Sequence, residues 1–303
     1  MTRFTKIAKM HKDNLKGYLD SILQKKYDTV YNGDGYLFAI GQIPVLVTAH
    51  MDTVHKDLVK KVNTTKYKGK TYINSPQGIG GDDRCGIWVI LELLKKGYRP
   101  YVLFCEDEEI GRVGAKKFCK TELKEILKEC KYFIELDRKG YNEAVFYDCG
   151  NEGFQKYICD TTGFELDYGS YSDISELSPE TDIASVNISV GYYDQHTLKE
   201  IVVYEEMANT VSVVEKLFAD IDNVKQFDYQ EKTYRYYDGW GVVGNRPLSF
   251  SDNFYFEIVF VNNEGKEDYY GCEATSIAEA TGKWIISNPD LSYSKNFLDY
   301  FVY

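Results

Sequence analysis

A run of mostly aliphatic and β-branched residues, Val45-Leu46-Val47-Thr48-Ala49, ends abruptly at His50, and Asp52 follows two residues later. Because the run does not alternate polar with apolar positions, it reads as a strand covered on both faces. Such strands belong to parallel or mixed sheets flanked by helices. Functional side chains in these folds gather where the strands end. In extended backbone, His50 and Asp52 point to the same side. One ring nitrogen of a histidine can then bind a metal while the other is held by the carboxylate. Taken alone, the stretch also fits a strand that simply ends in a polar turn.

The same pattern recurs. Tyr101-Val102-Leu103-Phe104-Cys105 runs into Glu106-Asp107-Glu108-Glu109-Ile110-Gly111, and Tyr132-Phe133-Ile134-Glu135-Leu136-Asp137 ends in acid. Asp182 to Val190 reads as a strand, followed by Gly191-Tyr192-Tyr193-Asp194-Gln195-His196. Between the first two strands lies Gln77-Gly78-Ile79-Gly80-Gly81-Asp82-Asp83-Arg84, whose glycines let backbone pass close to something. Asp82 or Asp83 also suits the cap of the helix that follows. Adjacent carboxylates at a strand end repel unless solvent or a cation separates them. Of the four histidines, His50 and His196 sit at strand ends beside acids, whereas His11 and His55 look incidental. Together, His50, Asp82, the Glu108-Glu109 pair, Asp137 and His196 suggest a metal site. Mixed histidine and carboxylate ligands suit zinc, with cobalt or manganese in related sites.

Around these motifs, helices and strands alternate up to about residue 222. Residues 5–25 carry apolar positions at helical spacing, and Tyr27 to Ile40 reads as a hairpin turning at Asn32-Gly33-Asp34-Gly35. Residues 57–74 suggest a two-stranded excursion, Gly114 to Cys130 is largely helical, and Ala144–Tyr147 and Gln155–Ile158 read as strands. Tyr168 to Asp173 is a loop, and Glu205–Ile221 is a closing helix. The expected fold is a three-layer α/β/α sandwich on a mixed, mainly parallel sheet, occupying residues 1–222. Residues 223–303 are expected to form a small α+β appendage. It would hold a hairpin over Asn253–Val261 and Glu267–Cys272 turning at Asn262–Gly265, a helix over Ser276–Lys283 and a strand at Trp284–Ile286.

The formal net charge of −11, with 47 acidic against 36 basic residues, argues against nucleic-acid binding, which needs a basic surface. The N-terminal residues carry no apolar signal region, and no stretch approaches a membrane span. Seven cysteines are scattered without a Cys-x-x-Cys pair, as expected of free thiols in a reducing cytoplasm.

The order His50-x-Asp52, Gly81-Asp82-Asp83, Glu108-Glu109-x-Gly111, Asp137, His196 resembles the co-catalytic zinc exopeptidases. That clan includes peptidase T-type tripeptidases, glutamate carboxypeptidases and single-domain zinc aminopeptidases. The resemblance covers residues 43–222. It implies two divalent ions, zinc first, with cobalt or manganese as substitutes. One would be held by His50 and Asp137, the other by Glu109 and His196, with Asp82 bridging. It also implies a cis peptide bond after Asp82, Glu108 as general base and Asp52 orienting the His50 ring. An attacking water must lose a proton and a departing amine must gain one, and a carboxylate beside the site can carry both transfers.

The chain departs from peptidase T and the carboxypeptidases in one respect. Only 58 residues separate Asp137 from His196, too few for their inserted lid or dimerisation domain. The activity implied is hydrolysis of a peptide or amide bond, first as an aminopeptidase or tripeptidase of short peptides. Alternatives are a carboxypeptidase or N-acyl amino acid deacylase, and a non-catalytic, metal-stabilised binding module. Arg84, Arg112 and Arg138 flank ligand positions and are candidates to hold a substrate carboxylate, or else form ordinary ion pairs. Tyr192 and Tyr193 could line the pocket or the core, and Asp173 is a candidate contact for a substrate amine.

Overall fold

The computed structural model describes residues 2–169, 171–230, 234–237, 242–246, 254–262, 266–274, 284, 287 and 297–302. The chain forms two compact units, one up to Gln230 and one from Glu231 on. In order, the first contains α1 (Thr2–Ala8), α2 (Lys12–Leu23), β1 (Val30–Gly33), β2 (Tyr36–Ala39), β3 (Ile43–His50), β4 (Asn63–Tyr67), β5 (Lys70–Asn74), α3 (Gly81–Lys96), β6 (Pro100–Cys105) and α4 (Val113–Cys119). A 3₁₀ stretch (Glu122–Glu129) leads into β7 (Tyr132–Arg138), β8 (Glu143–Val145), α5 (Glu152–Thr162), β9 (Glu165–Asp167), α6 (Ile174–Thr181), β10 (Ser185–Ser189), β11 (Tyr192–Tyr193), β12 (Ile201–Val203) and α7 (Tyr204–Ala219).

Eight strands form the central sheet in the order β1-β2-β6-β3-β7-β10-β8-β9. Its middle strands β6, β3, β7 and β10 are mutually parallel. The β1–β2, β2–β6 and β10–β8 pairs are antiparallel. Strand alternation divides the core in two. Val45, Val47 and Ala49 of β3, with Val102 and Phe104 of β6, pack beneath α1, α2, α3, α5 and α7. Leu46, Leu103, Cys105 and Phe133 face the opposite layer, built from α4, the 3₁₀ stretch and α6. The result is a three-layer α/β/α sandwich on a mixed, mainly parallel sheet. No helix among the described residues is long and apolar enough to cross a membrane.

The excursion after β3 folds as the β4–β5 hairpin, and β5 pairs antiparallel with β12 to build a second sheet, β11-β12-β5-β4. The residues between Asp137 and His196 are used up by β8, α5, β9, α6, β10 and β11. In the second unit, β13 (Tyr234–Tyr237) pairs with β14 (Val242–Arg246). There β15 (Phe254–Val261) lies between β16 (Glu267–Ala274) and β17 (Phe297–Val302), each antiparallel to it.

Several local expectations change. The N-terminal helix is two, because His11 leaves helical backbone and its Nδ1 accepts the Asp13 N–H to cap α2. Gln155–Ile158 is helical rather than extended. Asn151 caps α5 by accepting the Phe154 N–H at 2.9 Å, and left-handed Gly163 ends it. These end signals prevail over the β-prone Tyr157-Ile158-Cys159. Residues 223–230, placed by sequence in the appendage, stay with the first unit. Phe227 stacks with Phe154 and Tyr157, and its backbone bonds to Lys131 and Ala184. In the second unit Trp284 has helical backbone instead of extended, and is buried against Phe260. The turn at 263–265, the helix at 276–283 and the strand at 285–286 lie outside the described residues.

Helix α3 sits tightly on β7: a Cβ at Gly86 would lie 1.9 Å from the carbonyl oxygen of Leu136. Gly86→Ala is expected to destabilise the protein by about 1–3 kcal/mol or more. Gly17→Ala, in α2 with open space around it, should instead gain about 0.5–1 kcal/mol. Urea denaturation of both variants checks the pair.

Candidate active site

The sheet register assembles the site. Thr48 pairs with Glu135, so His50 and Asp137 stand abreast at the ends of β3 and β7. His50 pairs with Cys105, so the Glu106–Glu109 loop begins immediately beside it. Asp82 arrives from a third direction, at the start of α3, where Gly80 takes left-handed backbone (φ 63°) that favours glycine. Asp82 and Asp83 are not helical, and the bond joining them is cis. The two aspartates divide the labour. Asp83 accepts the Gly86 N–H at 2.8 Å as a helix cap and the His50 N–H at 3.2 Å. Asp82 remains free to face the site.

There its two oxygens meet different histidines. Oδ1 lies 2.9 Å from His50 Nε2, and Oδ2 lies 3.1 Å from His196 Nε2. Asp137 Oδ1 is 3.5 Å from His50 Nε2, and Glu109 Oε2 is 3.1 Å from His196 Nε2. The described residues thus bring together all five positions singled out as candidate ligands. Ligand atoms of His50, Asp82 and Glu109 all lie within 4.8 Å of one another, as do those of His50, Asp83 and Asp137. Asp83 is the weaker candidate ligand, because both its oxygens already accept backbone N–H groups. Glu109 Oε1 is buried without a hydrogen-bond partner. Converging carboxylates, an orphaned carboxylate oxygen and two histidines make a donor set that fits a divalent cation.

Asp52 takes a supporting place. It accepts the N–H groups of Glu108 and Glu109 at 3.1 and 3.2 Å, fixing that loop. Its Oδ1 stands 3.3 Å from His50 Nδ1, within ion-pair distance though not aligned as a hydrogen bond. Asp137 is held from three sides: its N–H donates to Asn187 Oδ1 at 2.9 Å, and Tyr192 and Ser172 donate to its carboxylate at 3.2 and 3.3 Å. Tyr192 therefore supports a candidate ligand, while Tyr193 turns away to donate to Glu206. Left-handed backbone occurs at the site too: Asp107 and His196 both have positive φ, at 60° and 61°.

The candidate substrate contacts fare differently. Arg84 is buried and donates to the carbonyl oxygens of Met51, Asp52 and Met10. Arg112 pairs with Glu176 and covers the Tyr171 ring, and Arg138 pairs with Glu143 and Asp167. Each is committed to structure. Asp173, fully buried at the start of α6, is out of reach of a substrate amine. Two residues that sequence reasoning passed over are prominent. Glu200 is fully buried, and its carboxylate accepts the N–H groups of Gly80 and Asp82 at 2.8 and 3.0 Å. His55 Nε2 lies 2.7 Å from the same carboxylate. The only signal in the sequence was a charged residue immediately before the apolar strand Ile201-Val202-Val203.

Electrostatics follow from this crowding. Burial, then Asp137 and other nearby acids, push Glu108 up to about 8 despite His50. Burial and Asp82 push Asp137 up to about 7. Burial works against charge on Asp82, but hydrogen bonds from His196 and His50 outweigh it and hold its carboxyl well below the usual range. Asp52, also buried, is held at about 2 by His50 and the two loop N–H groups. His196 is raised to about 10 by Asp82 and Glu109.

These directions fix a pH dependence for chelator-treated protein. Glu108 and Asp137 keep protons that the unfolded chain releases, so their ionisation costs stability as pH rises from about 4 through 8. The His196 contribution is complete below its unfolded pKa and is lost as pH rises towards 10. Asp52 and Asp82 stabilise above the usual carboxylate range and act only on the acid side. Metal-free protein should therefore melt lower at about pH 9 than at about pH 6, and added zinc or manganese should narrow the gap. A flat profile in thermal scans contradicts this.

No family model matches the chain, and no curated protein sequence matches it. Solved structures do. Aminopeptidase PepT from Bacillus cereus superposes with a TM-score of 0.58 at 15% identity, covering 73% of this chain and 97% of that one. A tripeptidase from Staphylococcus aureus gives 0.58 at 12% identity, with 73% and 97% covered. An aminopeptidase from the archaeon Desulfurococcus kamchatkensis gives 0.57 at 12% identity, with 74% and 96% covered. The chain has the fold of these peptidases.

Proposed function

We propose that the protein is a two-cation hydrolase of peptide bonds, acting as an aminopeptidase or tripeptidase on short peptides. The observation that carries the reading is Asp82, whose two oxygens face two histidines, each with a second carboxylate at its side. Around a bridging carboxylate, this arrangement suits two ions. His50 and Asp137 would hold one, Glu109 and His196 the other, and Asp52 would steady the His50 ring. Zinc fits the donor set, with cobalt or manganese as alternatives. Such a pair supplies Lewis acidity toward the scissile carbonyl and makes water acidic near neutral pH.

Glu108 is the proton carrier in this reading. It adjoins Glu109 on the loop that Asp52 anchors, and its carboxyl titrates at about 8 before any cation is bound. Cations would draw it down towards the working pH, where a carboxylate can take the proton of the attacking water and deliver it to the departing amine. The peptidases of like fold include an enzyme named as a tripeptidase and others named as aminopeptidases. Against a carboxypeptidase, Arg84, Arg112 and Arg138 are each spent on carbonyls or internal ion pairs. A reducing compartment such as the cytoplasm suits the buried thiols of Cys85, Cys105, Cys119, Cys130 and Cys149.

Hydrolysis of a free-amino tripeptide beside its N-acetylated form, with zinc, cobalt or manganese added, tests the proposal. Only the free-amino peptide should be cleaved. Glu108→Gln should lose at least about 100-fold in kcat while retaining bound metal. Cleavage of only the acetylated peptide would move the reading to a carboxypeptidase or deacylase. No cleavage of either, with metal bound, would leave a binding role.

A further inference from the structure

Glu200 lies in the chain segment that carries His196, four residues further on and just before β12. Its side chain is fully buried, a costly place for a carboxylate unless its oxygens are satisfied. They are satisfied by backbone that belongs to another ligand-bearing segment. Oε2 accepts the Gly80 N–H at 2.8 Å and Oε1 accepts the Asp82 N–H at 3.0 Å. The turn Gly80-Gly81-Asp82 therefore wraps the carboxylate as a small anion nest, which the left-handed Gly80 makes possible. The nest leaves no room for a side chain between its N–H groups: a Cβ at Gly81 would come 2.8 Å from Tyr192 and Val202 and 3.2 Å from Glu200 Oε1.

The third participant is His55, from the loop that leaves His50 and Asp52. Its Nε2 is 2.7 Å from Glu200 Oε2, and the ring packs directly against Gly78, where an added Cβ would come within 2.2 Å. One buried carboxylate thus ties together the segment after β3, the turn before α3 and the segment carrying His196. Asp137 relies on other supports, Asn187, Tyr192 and Ser172.

We infer that Glu200, braced by His55, is a positioning residue. It sets the distance between Asp82 and His196 and so governs the affinity of the ion shared by Asp82, Glu109 and His196. The inference rests on the two-cation reading above. Charge-assisted bonds of this kind hold geometry that a neutral amide cannot reproduce. In Glu200→Gln an NH₂ would face the N–H of Gly80 or of Asp82, and one contact would be lost.

Calorimetric titration of chelator-stripped full-length protein with Mn²⁺, paired with electron paramagnetic resonance of the loaded samples, tests it. The parent should take up two ions and show a spin-coupled pair. Glu200→Gln should keep one uptake step near parental affinity and weaken the other by about 10–100-fold, leaving the spectrum of an isolated ion at two equivalents. His55→Gln, a milder change, should shift the same step in the same direction by less. It decides the matter if Glu200→Gln fails to fold. Two parental steps in the variants, or equal weakening of both steps, overturns the inference and leaves the two-cation reading standing. Fewer than two ions in the parent overturns both.

Discussion

Everything at the strand ends depends on how Asp82 is shared. A single carboxylate cannot contact two histidines from opposite oxygens unless three separate chain segments are held in register around it. Here His50 Nε2 and His196 Nε2 stand at 2.9 and 3.1 Å from its two oxygens. The arrangement is also electrostatically incomplete. Burial forces both Glu108 and Asp137 towards neutrality, with Asp137 adding to the effect on Glu108 and Asp82 to that on Asp137, while Asp82 is kept ionised by its histidines. A site that holds some acids neutral and others charged within a few ångströms is set up to gain a cation, and with it to return those protons.

The sandwich supplies the required precision. Parallel pairing of β3 with both β6 and β7 puts His50, Asp137 and the Glu106–Glu109 loop at one edge, and no long loop has to fold back to reach it. The third segment is fixed by α3, whose close seat on β7 at Gly86 leaves little freedom for the turn that presents Asp82. Asp83 stitches that turn to the His50 backbone and Glu200 stitches it to the segment carrying His196. A rigid scaffold thereby carries chemistry on short connections, in keeping with the general placement of function in open α/β sheets.

Much of this was legible in the sequence because burial leaves a direct imprint. Aliphatic runs that stop at His50, Glu106, and Asp137 marked the central strands and the candidate ligands together. Asp82 was legible through its glycines, and the competing reading of a helix cap turned out to belong to its neighbour Asp83. What escaped were contacts that no spacing encodes. Glu200 recognises backbone N–H groups some 120 residues away, and backbone has no residue identity to read. His55 looked incidental for the same reason. In α5, Gln155–Ile158 reads as a strand, and only the Asn151 cap and Gly163 reveal the helix. The split after Gln230 instead of Asp222 reflects tertiary docking of Phe227 on Phe154 and Tyr157, which local composition does not announce.

If Asp82 is shared by two divalent ions, as proposed, anomalous diffraction from crystals grown with zinc should show two peaks about 3.5–4 Å apart, flanking the Asp82 carboxylate, one beside His50 and Asp137 and the other beside Glu109 and His196. A single peak, or two peaks that do not share Asp82, would contradict the proposal.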